Sequence, residues 1–204
     1  MKIIAITGGI ATGKSSAVQK LISALGDSNC RLFDSDAAAH NLLTTPDIIA
    51  KVAQEFGNEV LNPDGSVNRS ALREIVFEDD NHRLELEAIL HPEILNSARA
   101  SLAQANTDDA ESPAFFLLEV PLLYEVDFPI ERDLDIAIAA TPETQIERLT
   151  KIRNLNPEMI DRLLSAQLPV ETKITRADIV IWNDGSIEEF NHQIDLISRS
   201  LIDF

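Results

Sequence analysis

The chain has 204 residues, of which 45% are apolar and 25% charged, a composition typical of a globular protein with a buried core. Its 17 basic and 34 acidic residues give a net charge of -17, which argues against general binding to nucleic acid, itself a polyanion. Cys30 is the only cysteine, no apolar run approaches the ~20 residues of a membrane helix, and the first residues lack the pattern of a signal peptide. We therefore expect a cytoplasmic protein without disulfides, cysteine-rich metal sites or a membrane span.

The N-terminal segment predicts a strand, a tight loop and a helix in succession. Residues 3–7 form a short β-branched run that ends in two glycines. From Lys14 onward the apolar residues recur with helical spacing, and Gly26 lies where a helix commonly ends.

Four later apolar runs predict further strands, at residues 31–33, 115–120, 134–140 and 178–182. Helix starts lie among them, at Thr141-Pro142, at Asn156-Pro157 and at the capping box formed by Ser186 and Glu189. Alternating strands and helices predict an α/β fold with a five-stranded parallel sheet flanked by helices.

The interval 36–113 interrupts this alternation with helical patterns and almost no strand signal, so we predict a helical insertion there. A turn at 62–65 and a polar loop at 105–113 are expected inside it. Residues 1–35 and 114–204 are then predicted to form the core.

Residues 8–15 match the pattern G-x-x-x-x-G-K-S, with a predicted strand before it and a helix after it. The glycines let backbone amides point inward at a phosphate, and the helix N-terminus adds partial positive charge. Lys14 can reach the β- and γ-phosphates of a nucleotide, and Ser15 can offer its hydroxyl to Mg²⁺. The alternative is a glycine-rich turn beside an exposed lysine. The predicted nucleotide-binding residues of this phosphate loop are Gly9, Ile10, Ala11, Thr12, Gly13, Lys14, Ser15 and Ser16.

Two acids, Asp34 and Asp36, follow the second predicted strand, at the edge of the sheet where ligands of open α/β proteins bind. Two residues apart on an extended backbone, both carboxylates can project to one side. One can then accept a proton from a hydroxyl group, while the other holds a metal-bound water. The alternative is that one of them only caps the helix that carries His40.

Six of the 17 basic residues are concentrated in 29 positions near the C-terminal end of the chain: Arg148, Lys151, Arg153, Arg162, Lys173 and Arg176. A cationic lid of this kind can stabilise the negative charge that develops during phosphoryl transfer. The alternative is a solvated helix face with ion pairs four residues apart.

Taken together, these motifs resemble the dephospho-CoA kinases. The matching segments are ITGGIATGKS (6–15), DSDAAAH (34–40), HP (91–92), VPLLYE (120–125) and an ordered tail with Gln167, Lys173, Ala177-Asp178, Asn183 and Gly185. The resemblance implies a P-loop NTPase fold like that of nucleoside monophosphate kinases, with a helical substrate-binding insertion at 36–113 and a helical lid at about 146–176. It also implies transfer of the ATP γ-phosphoryl group to the ribose 3′-hydroxyl of dephospho-CoA, with Mg²⁺.

The resemblance also implies roles for individual residues. Asp36 would be the general base and Asp34 its supporting acid, and Arg148 and Arg153 would be lid arginines that act in catalysis with Lys14. The residues implied to contact the acceptor substrate are Asp34, His40, His91, Pro121, Leu122 and Glu125, and those implied near the adenine are Asn183 and Gly185. His40 and His91 can instead be local hydrogen-bond partners.

The sequence departs from the family pattern at three places. Ala11 and Thr12 replace a glycine and a small residue of the loop, Ser35 replaces an alanine, and Glu119 stands where a shorter acid is expected at the end of a core strand. Two other functions remain open: another small-metabolite kinase, acting for example on shikimate or gluconate, and a nucleotide-dependent switch. The sequence lacks the Asn-Lys-x-Asp guanine reader of GTPases, and we expect a monomer or weak homo-oligomer.

Overall fold

The computed structural model describes residues 1–107, 112–153 and 155–203, and only the backbone of residues 78, 107, 153 and 203. Its strands are β1 (Lys2–Gly8), β2 (Cys30–Asp34), β3 (Phe115–Glu119), β4 (Leu134–Ala139) and β5 (Ile179–Trp182). All five strands predicted from the sequence are present, and each begins and ends within two residues of its predicted bounds.

The helices of the described part are α1 (Lys14–Leu25), α2 (Ser35–Leu42), α3 (Pro46–Phe56), α4 (Arg69–Glu78), α5 (Asp80–Thr107), α6 (Pro142–Arg153), α7 (Pro157–Ser165), α8 (Val170–Arg176) and α9 (Ile187–Asp203). The predicted starts of α6, α7 and α9 are confirmed. Asn156 caps α7 by accepting from Met159 N, and Ser186 and Glu189 form the expected reciprocal capping box. No helix in the described ranges is both long enough and apolar enough to cross a membrane.

The strands form one parallel sheet in the order β2-β3-β1-β4-β5, which confirms the predicted fold class. β1 is central, with Ile4 opposite Leu117 of β3 and Leu134 of β4. The chain leaves β1 toward one edge of the sheet and leaves β3 toward the other. Ligands of open parallel sheets bind outside the carboxyl ends of the strands at such a switch point.

One face of the sheet packs against α1 and α9. Val18 and Leu21 of α1 and Phe190 and Ile194 of α9 are buried with the β-branched residues of β1 and β4. This packing fixes α1, and with it the end of the loop that connects β1 to α1.

The contacts within the chain divide it into two compact units, one formed by Met1–Phe33 with Leu102–Phe204 and the other by Asp34–Ser101. The second unit has its own apolar core, in which Ile48, Val52 and Phe56 of α3 pack with Leu72 of α4 and Leu90 of α5. The predicted turn at 62–65 is present, and Gly65 N donates to Asn62 O at 2.9 Å.

The prediction of a polar loop at 105–113 was wrong at the start of this range. Helix α5 continues to Thr107, and Ala105 is 4% exposed, so this turn contributes an apolar contact instead of a solvated connection. Residues 108–111 of the predicted loop lie outside the described residues.

Candidate nucleotide and acceptor site

The loop between β1 and α1 requires glycine at Gly13. This residue is the N-cap of α1 with a φ of 93°, in the left-handed region, and a Cβ placed on it would lie 2.2 Å from Nδ2 of Asn183. Ala11 also has a left-handed backbone, with a φ of 59°, and no other non-glycine residue in the described ranges has a positive φ. The replacement of a glycine noted in the sequence therefore falls on a position that favours glycine.

Four consecutive carbonyl groups of the phosphate loop are held by donors from the protein. The pairs are Gly9 O with Thr12 Oγ1 at 2.9 Å, Ile10 O with Gln145 Nε2 at 2.6 Å, Ala11 O with Arg148 Nη1 at 3.0 Å, and Thr12 O with Asn183 Nδ2 at 2.8 Å. With these oxygens occupied, the negative ends of the peptide dipoles are turned toward the protein.

The amide groups of the same loop are differently placed. The N–H groups of Ala11, Gly13 and Lys14 donate to no acceptor among the described residues, whereas the Ile10 N–H donates to Gln167 Oε1 at 2.8 Å. Free amides beside a helix N-terminus attract an anion through hydrogen bonding and the helix dipole. Ser16 is exposed in the first turn of α1. The loop is therefore suited to hold phosphate groups.

Lys14 and Ser15 both meet the acid at the end of β3. Ser15 Oγ donates to Glu119 Oε1 at 3.0 Å, and Lys14 Nζ lies 4.0 Å from the same oxygen. Glu119 is 5% exposed. The longer side chain of glutamate thus reaches the hydroxyl directly, at the position where the sequence suggested a shorter acid.

The oxygen atoms of Ser15 and Glu119 fit a hard divalent cation. Mg²⁺ prefers oxygen ligands, keeps several waters and commonly takes only one or two protein ligands beside substrate phosphates. Within the described ranges no three His, Cys, Asp or Glu side chains are grouped as a metal site. The two oxygens therefore fit a cation that is also bound by substrate phosphates and water, rather than one that is bound by protein ligands alone.

Arg148 bridges the phosphate loop to the segment after β5. Its Nη1 donates to Ala11 O, and its Nη2 donates to Asn183 O at 2.6 Å. Asn183 N in turn donates to Ala139 O at the end of β4, which ties this segment to the sheet. Gly185 leaves room for the capping carboxylate of Glu189, since a Cβ there would lie 2.3 Å from it.

The six basic residues near the C-terminal end do not share one environment. Arg148 lies on the phosphate loop, Lys151 pairs with Glu147 on an exposed helix face, and Arg176 donates to Tyr124 O. Lys173 is 1% exposed and paired with Glu125. Arg153 is the last residue of α6, and its side chain lies outside the described residues.

The segment 121–125 is bound to the sheet and to α8. Pro121 O accepts from Thr7 Oγ1 at 3.1 Å and from Lys173 Nζ at 2.7 Å, while Leu122 O accepts from Glu125 N at 3.1 Å. Burial lowers the pKa of Lys173 from its usual value, the hydrogen bond that Lys173 donates to Glu125 opposes this, and the charge of Lys14 adds to the lowering. Lys173 therefore lies within electrostatic reach of the phosphate loop.

Glu125 is engaged within the protein. Its Oε1 accepts from Lys173 Nζ at 2.6 Å and from Leu168 N at 3.0 Å, and its buried Oε2 has no hydrogen-bond partner among the described residues. A carboxylate held in this way can shape a pocket by fixing the segment that carries Pro121 and Leu122.

The second unit carries the acid pair and two histidines. Asp34 Oδ1 accepts from Asp36 N at 2.9 Å and from Ala37 N at 3.0 Å, so Asp34 caps α2, as one of the two interpretations of the sequence expected. Asp36 is exposed in the first turn of that helix.

Each of the two histidines has a local setting. Arg69 Nη1 donates to His40 Nε2 at 2.7 Å, so the imidazole acts as an acceptor there. His91 precedes Pro92 inside α5, and burial lowers its pKa while Glu87 opposes the shift.

Gln145 is a residue of the site that the sequence analysis did not identify. It is 5% exposed and shares a helix face with Leu149, four residues on and fully buried. A polar residue at a core position of an amphipathic helix was the available signal. It could not reveal the partner, because Ile10 O lies 135 residues away in the chain.

Comparisons with known proteins identify the family of the chain. The sequence model of the dephospho-CoA kinase family matches residues 2–189. The dephospho-CoA kinase of Anaeromyxobacter dehalogenans is 37% identical over 98% of this chain and 92% of its own length, and that of Geobacter metallireducens is 37% identical over 100% and 98%.

Solved structures share the fold. The crystal structure of TT1252 from Thermus thermophilus superposes with a TM-score of 0.75 at 29% identity, covering 98% of this chain and 97% of that one. The shikimate kinase of Acinetobacter baumannii, at 14% identity and a TM-score of 0.53 over 100% and 94% of the chains, shares the fold alone. On the family match and the full-length relatives, the chain belongs to the dephospho-CoA kinase family.

Proposed function

We propose that the protein phosphorylates dephospho-CoA, moving the γ-phosphoryl group of ATP to the ribose 3′-hydroxyl and releasing coenzyme A and ADP. One observation carries the proposal: the carbonyl groups of the phosphate loop are bound by donors of the protein and face away from the expected phosphates, in a chain that matches this family over residues 2–189. The roles of the residues follow from the chemistry of phosphoryl transfer.

The nucleotide is held by the loop, whose members are Gly9, Ile10, Ala11, Thr12, Gly13, Lys14, Ser15 and Ser16. Backbone N–H groups bind the phosphate oxygens, and Lys14 balances the charge on the β- and γ-phosphates. Asn183 and Gly185 border the adenine. Arg148, which the resemblance implies acts in catalysis, is proposed instead to orient the loop and the adenine-side segment together, since it donates to a carbonyl of each.

Ser15 and Glu119 would hold Mg²⁺, Ser15 through its hydroxyl and Glu119 through its carboxylate. When bound, the cation neutralises charge on the phosphate oxygens.

The acceptor hydroxyl gives its proton to the carboxylate of Asp36. The freed oxygen forms a bond to the γ-phosphorus, and the bond from that phosphorus to the β–γ bridging oxygen breaks, so ADP leaves with the electron pair. Asp34 supports Asp36 by fixing the first turn of α2. His40, His91, Pro121 and Leu122 contact the acceptor, and Glu125 acts on it through the segment that it anchors.

Residues 36–113 are proposed as the acceptor-binding insertion and residues 146–176 as a lid over the nucleotide. Arg153 is proposed to meet the charge that develops in the transition state, so Arg153→Ala is expected to lower kcat more than ATP affinity. Equal losses of both would make Arg153 a simple nucleotide ligand. We also propose that the protein is cytoplasmic and that it is a monomer or weak homo-oligomer. Gel filtration with light scattering tests the oligomeric state.

The direct test is a coupled assay with ATP, Mg²⁺ and dephospho-CoA, in which ADP release is measured and the new phosphate is located by NMR. We expect ADP release that depends on dephospho-CoA and a phosphate on the 3′-oxygen of the ribose. Equal turnover with shikimate or gluconate, or ADP release without any acceptor, would contradict the proposal.

The role of Asp36 is tested by Asp36→Asn, which keeps the size of the side chain and removes its basicity. We expect kcat to fall by roughly 10²- to 10⁴-fold, the usual contribution of a general base, with the KM for dephospho-CoA little changed. The matched control is Asp47→Asn, which removes an exposed acid from the same position in the first turn of α3. Near-normal turnover of Asp36→Asn would remove this residue from the role.

A further inference from the structure

Two glutamines hold opposite polar groups of Ile10, in the middle of the phosphate loop. Gln145 Nε2 of α6 donates to Ile10 O at 2.6 Å, and Ile10 N donates to Gln167 Oε1 at 2.8 Å. A carbonyl can only accept and an N–H can only donate, so the backbone fixes which end of each side-chain amide faces the loop. Gln145 is therefore a donor here and Gln167 an acceptor.

The side chain of Gln145 packs closely against the phosphate loop. It is 5% exposed, and a Cβ placed on Gly9 would lie 2.7 Å from its Nε2. The absence of a side chain at Gly9 therefore makes room for the amide of Gln145. This close approach leaves the Ile10 carbonyl little freedom to turn toward the side on which phosphates bind.

The position of Gln167 is fixed through its neighbour. Leu168 N donates to Glu125 Oε1 at 3.0 Å, and the same oxygen accepts from Lys173 Nζ, which is buried. Gln167 thus reaches Ile10 from a segment that is anchored to a buried ion pair.

We propose that Gln145 and Gln167 form a clamp on Ile10 and act as positioning residues, setting the conformation of the phosphate loop before the nucleotide binds. The inference rests on the proposed function for the identity of that nucleotide. Without the clamp, the peptide groups on either side of Ile10 can rotate, and a carbonyl oxygen that turns inward repels a phosphate oxygen.

A clamp of this kind has a distinctive kinetic signature. Holding the loop in its binding conformation in advance improves affinity because less order is lost on binding. Bound phosphates then hold the loop themselves, so saturated enzyme depends little on the clamp. We expect Gln145→Leu and Gln167→Leu to raise the KM for ATP by about 3- to 10-fold, the usual worth of one hydrogen bond, and to lower kcat by less than about twofold.

The decisive test compares two substitutions of Gln167 in the nucleotide-free full-length protein. Gln167→Glu keeps an acceptor oxygen for the Ile10 N–H, and Gln167→Leu removes it. NMR measures the exchange of the Ile10 amide proton with water at pH 7. We expect exchange at least about tenfold faster in Gln167→Leu and within about threefold of wild type in Gln167→Glu, because exchange follows the loss of the hydrogen bond.

The control for added charge is Gln54→Glu, an exposed position on α3 in the other unit, where Ile10 exchange should not change. Gln167 is only partly buried, so its variants decide the question even if Gln145→Leu does not fold. Unchanged exchange in Gln167→Leu, or equal acceleration in both Gln167 variants, would overturn the clamp. So would a loss of kcat as large as the rise in KM. The exchange measurement needs no acceptor, so it stands even if dephospho-CoA proves not to be the substrate.

Discussion

The hydroxyl of Ser15 donates to the carboxylate of Glu119 across 3.0 Å, joining the first turn of α1 to the end of β3. Lys14 lies 4.0 Å from the same oxygen. One acid thus contacts both residues of the phosphate loop that are proposed to act on the charged end of the nucleotide. Its side chain is longer by one methylene than the acid expected there, and its carboxylate accepts directly from the hydroxyl.

This contact predicts that Glu119 sets the affinity for Mg²⁺. Glu119→Gln should raise the free Mg²⁺ needed for half-maximal kinase activity by at least roughly 10- to 100-fold, since changing even a group next to a metal ligand usually has an effect of this size. Glu119→Asp keeps the charge and should stay within a few-fold of wild type. The control is Glu143→Gln, an exposed acid in the first turn of α6. A wild-type Mg²⁺ requirement in Glu119→Gln would contradict the assignment.

The buried pair of Lys173 and Glu125 predicts a large effect on stability. Lys173→Met leaves Glu125 charged without its partner, which should lower the free energy of unfolding by about 3–5 kcal/mol in urea denaturation. The double variant Lys173→Met with Glu125→Gln removes both charges and should recover most of that loss. Lys151→Met breaks the exposed pair with Glu147 and should change stability little. If the double variant loses as much free energy of unfolding as Lys173→Met and Glu125→Gln lose together, the pair is not coupled.

The strands could be predicted from the sequence because each is a short apolar run whose neighbours along the chain are helices. The phosphate loop could be predicted as well, since its function depends on residue types at fixed spacing. The contacts that shape the loop could not. Gln145, Arg148 and Asn183 reach its carbonyl groups across 135 to 171 residues of chain, and only the packing of α6 and β5 brings them there.

The environment of Lys173 shows a related limit. In the sequence it is one of six basic residues concentrated near each other, which indicates a cationic lid or, alternatively, a solvated helix face with ion pairs. In the folded chain its ammonium group is buried against Glu125 and Pro121 O, because α8 packs on β1 and β4. Charge density along the chain does not report which charges become buried.

The left-handed backbone of Ala11 predicts that glycine is more favourable at this position. An L-residue in that conformation costs about 1–2 kcal/mol, and glycine removes this cost. Glycine also makes the unfolded chain more flexible, which lowers the free energy of unfolding by about 0.5–1 kcal/mol. Ala11→Gly should therefore raise the free energy of unfolding by about 0.5–1 kcal/mol. The same change at Ala50, an exposed residue inside α3, should lower it by about the same amount. Two variants that shift stability in the same direction would contradict the strain at Ala11.

The burial of His91 predicts how stability changes in weak acid. Burial lowers the pKa of His91 below its usual value of 6.5, and Glu87 opposes the shift. Between about 6.5 and the lower value, the unfolded chain binds more protons than the folded one, so the free energy of unfolding falls as the pH falls through this window. The contribution is fully present above pH 6.5 and is lost below the folded-state pKa.

We expect His91→Gln to show a shallower decline than wild type between pH 7 and pH 5, measured by urea denaturation at each pH. His192→Gln removes an exposed histidine of α9 and should keep the wild-type slope. A decline in His91→Gln that is as steep as in wild type would mean that protonation of His91 is not linked to unfolding.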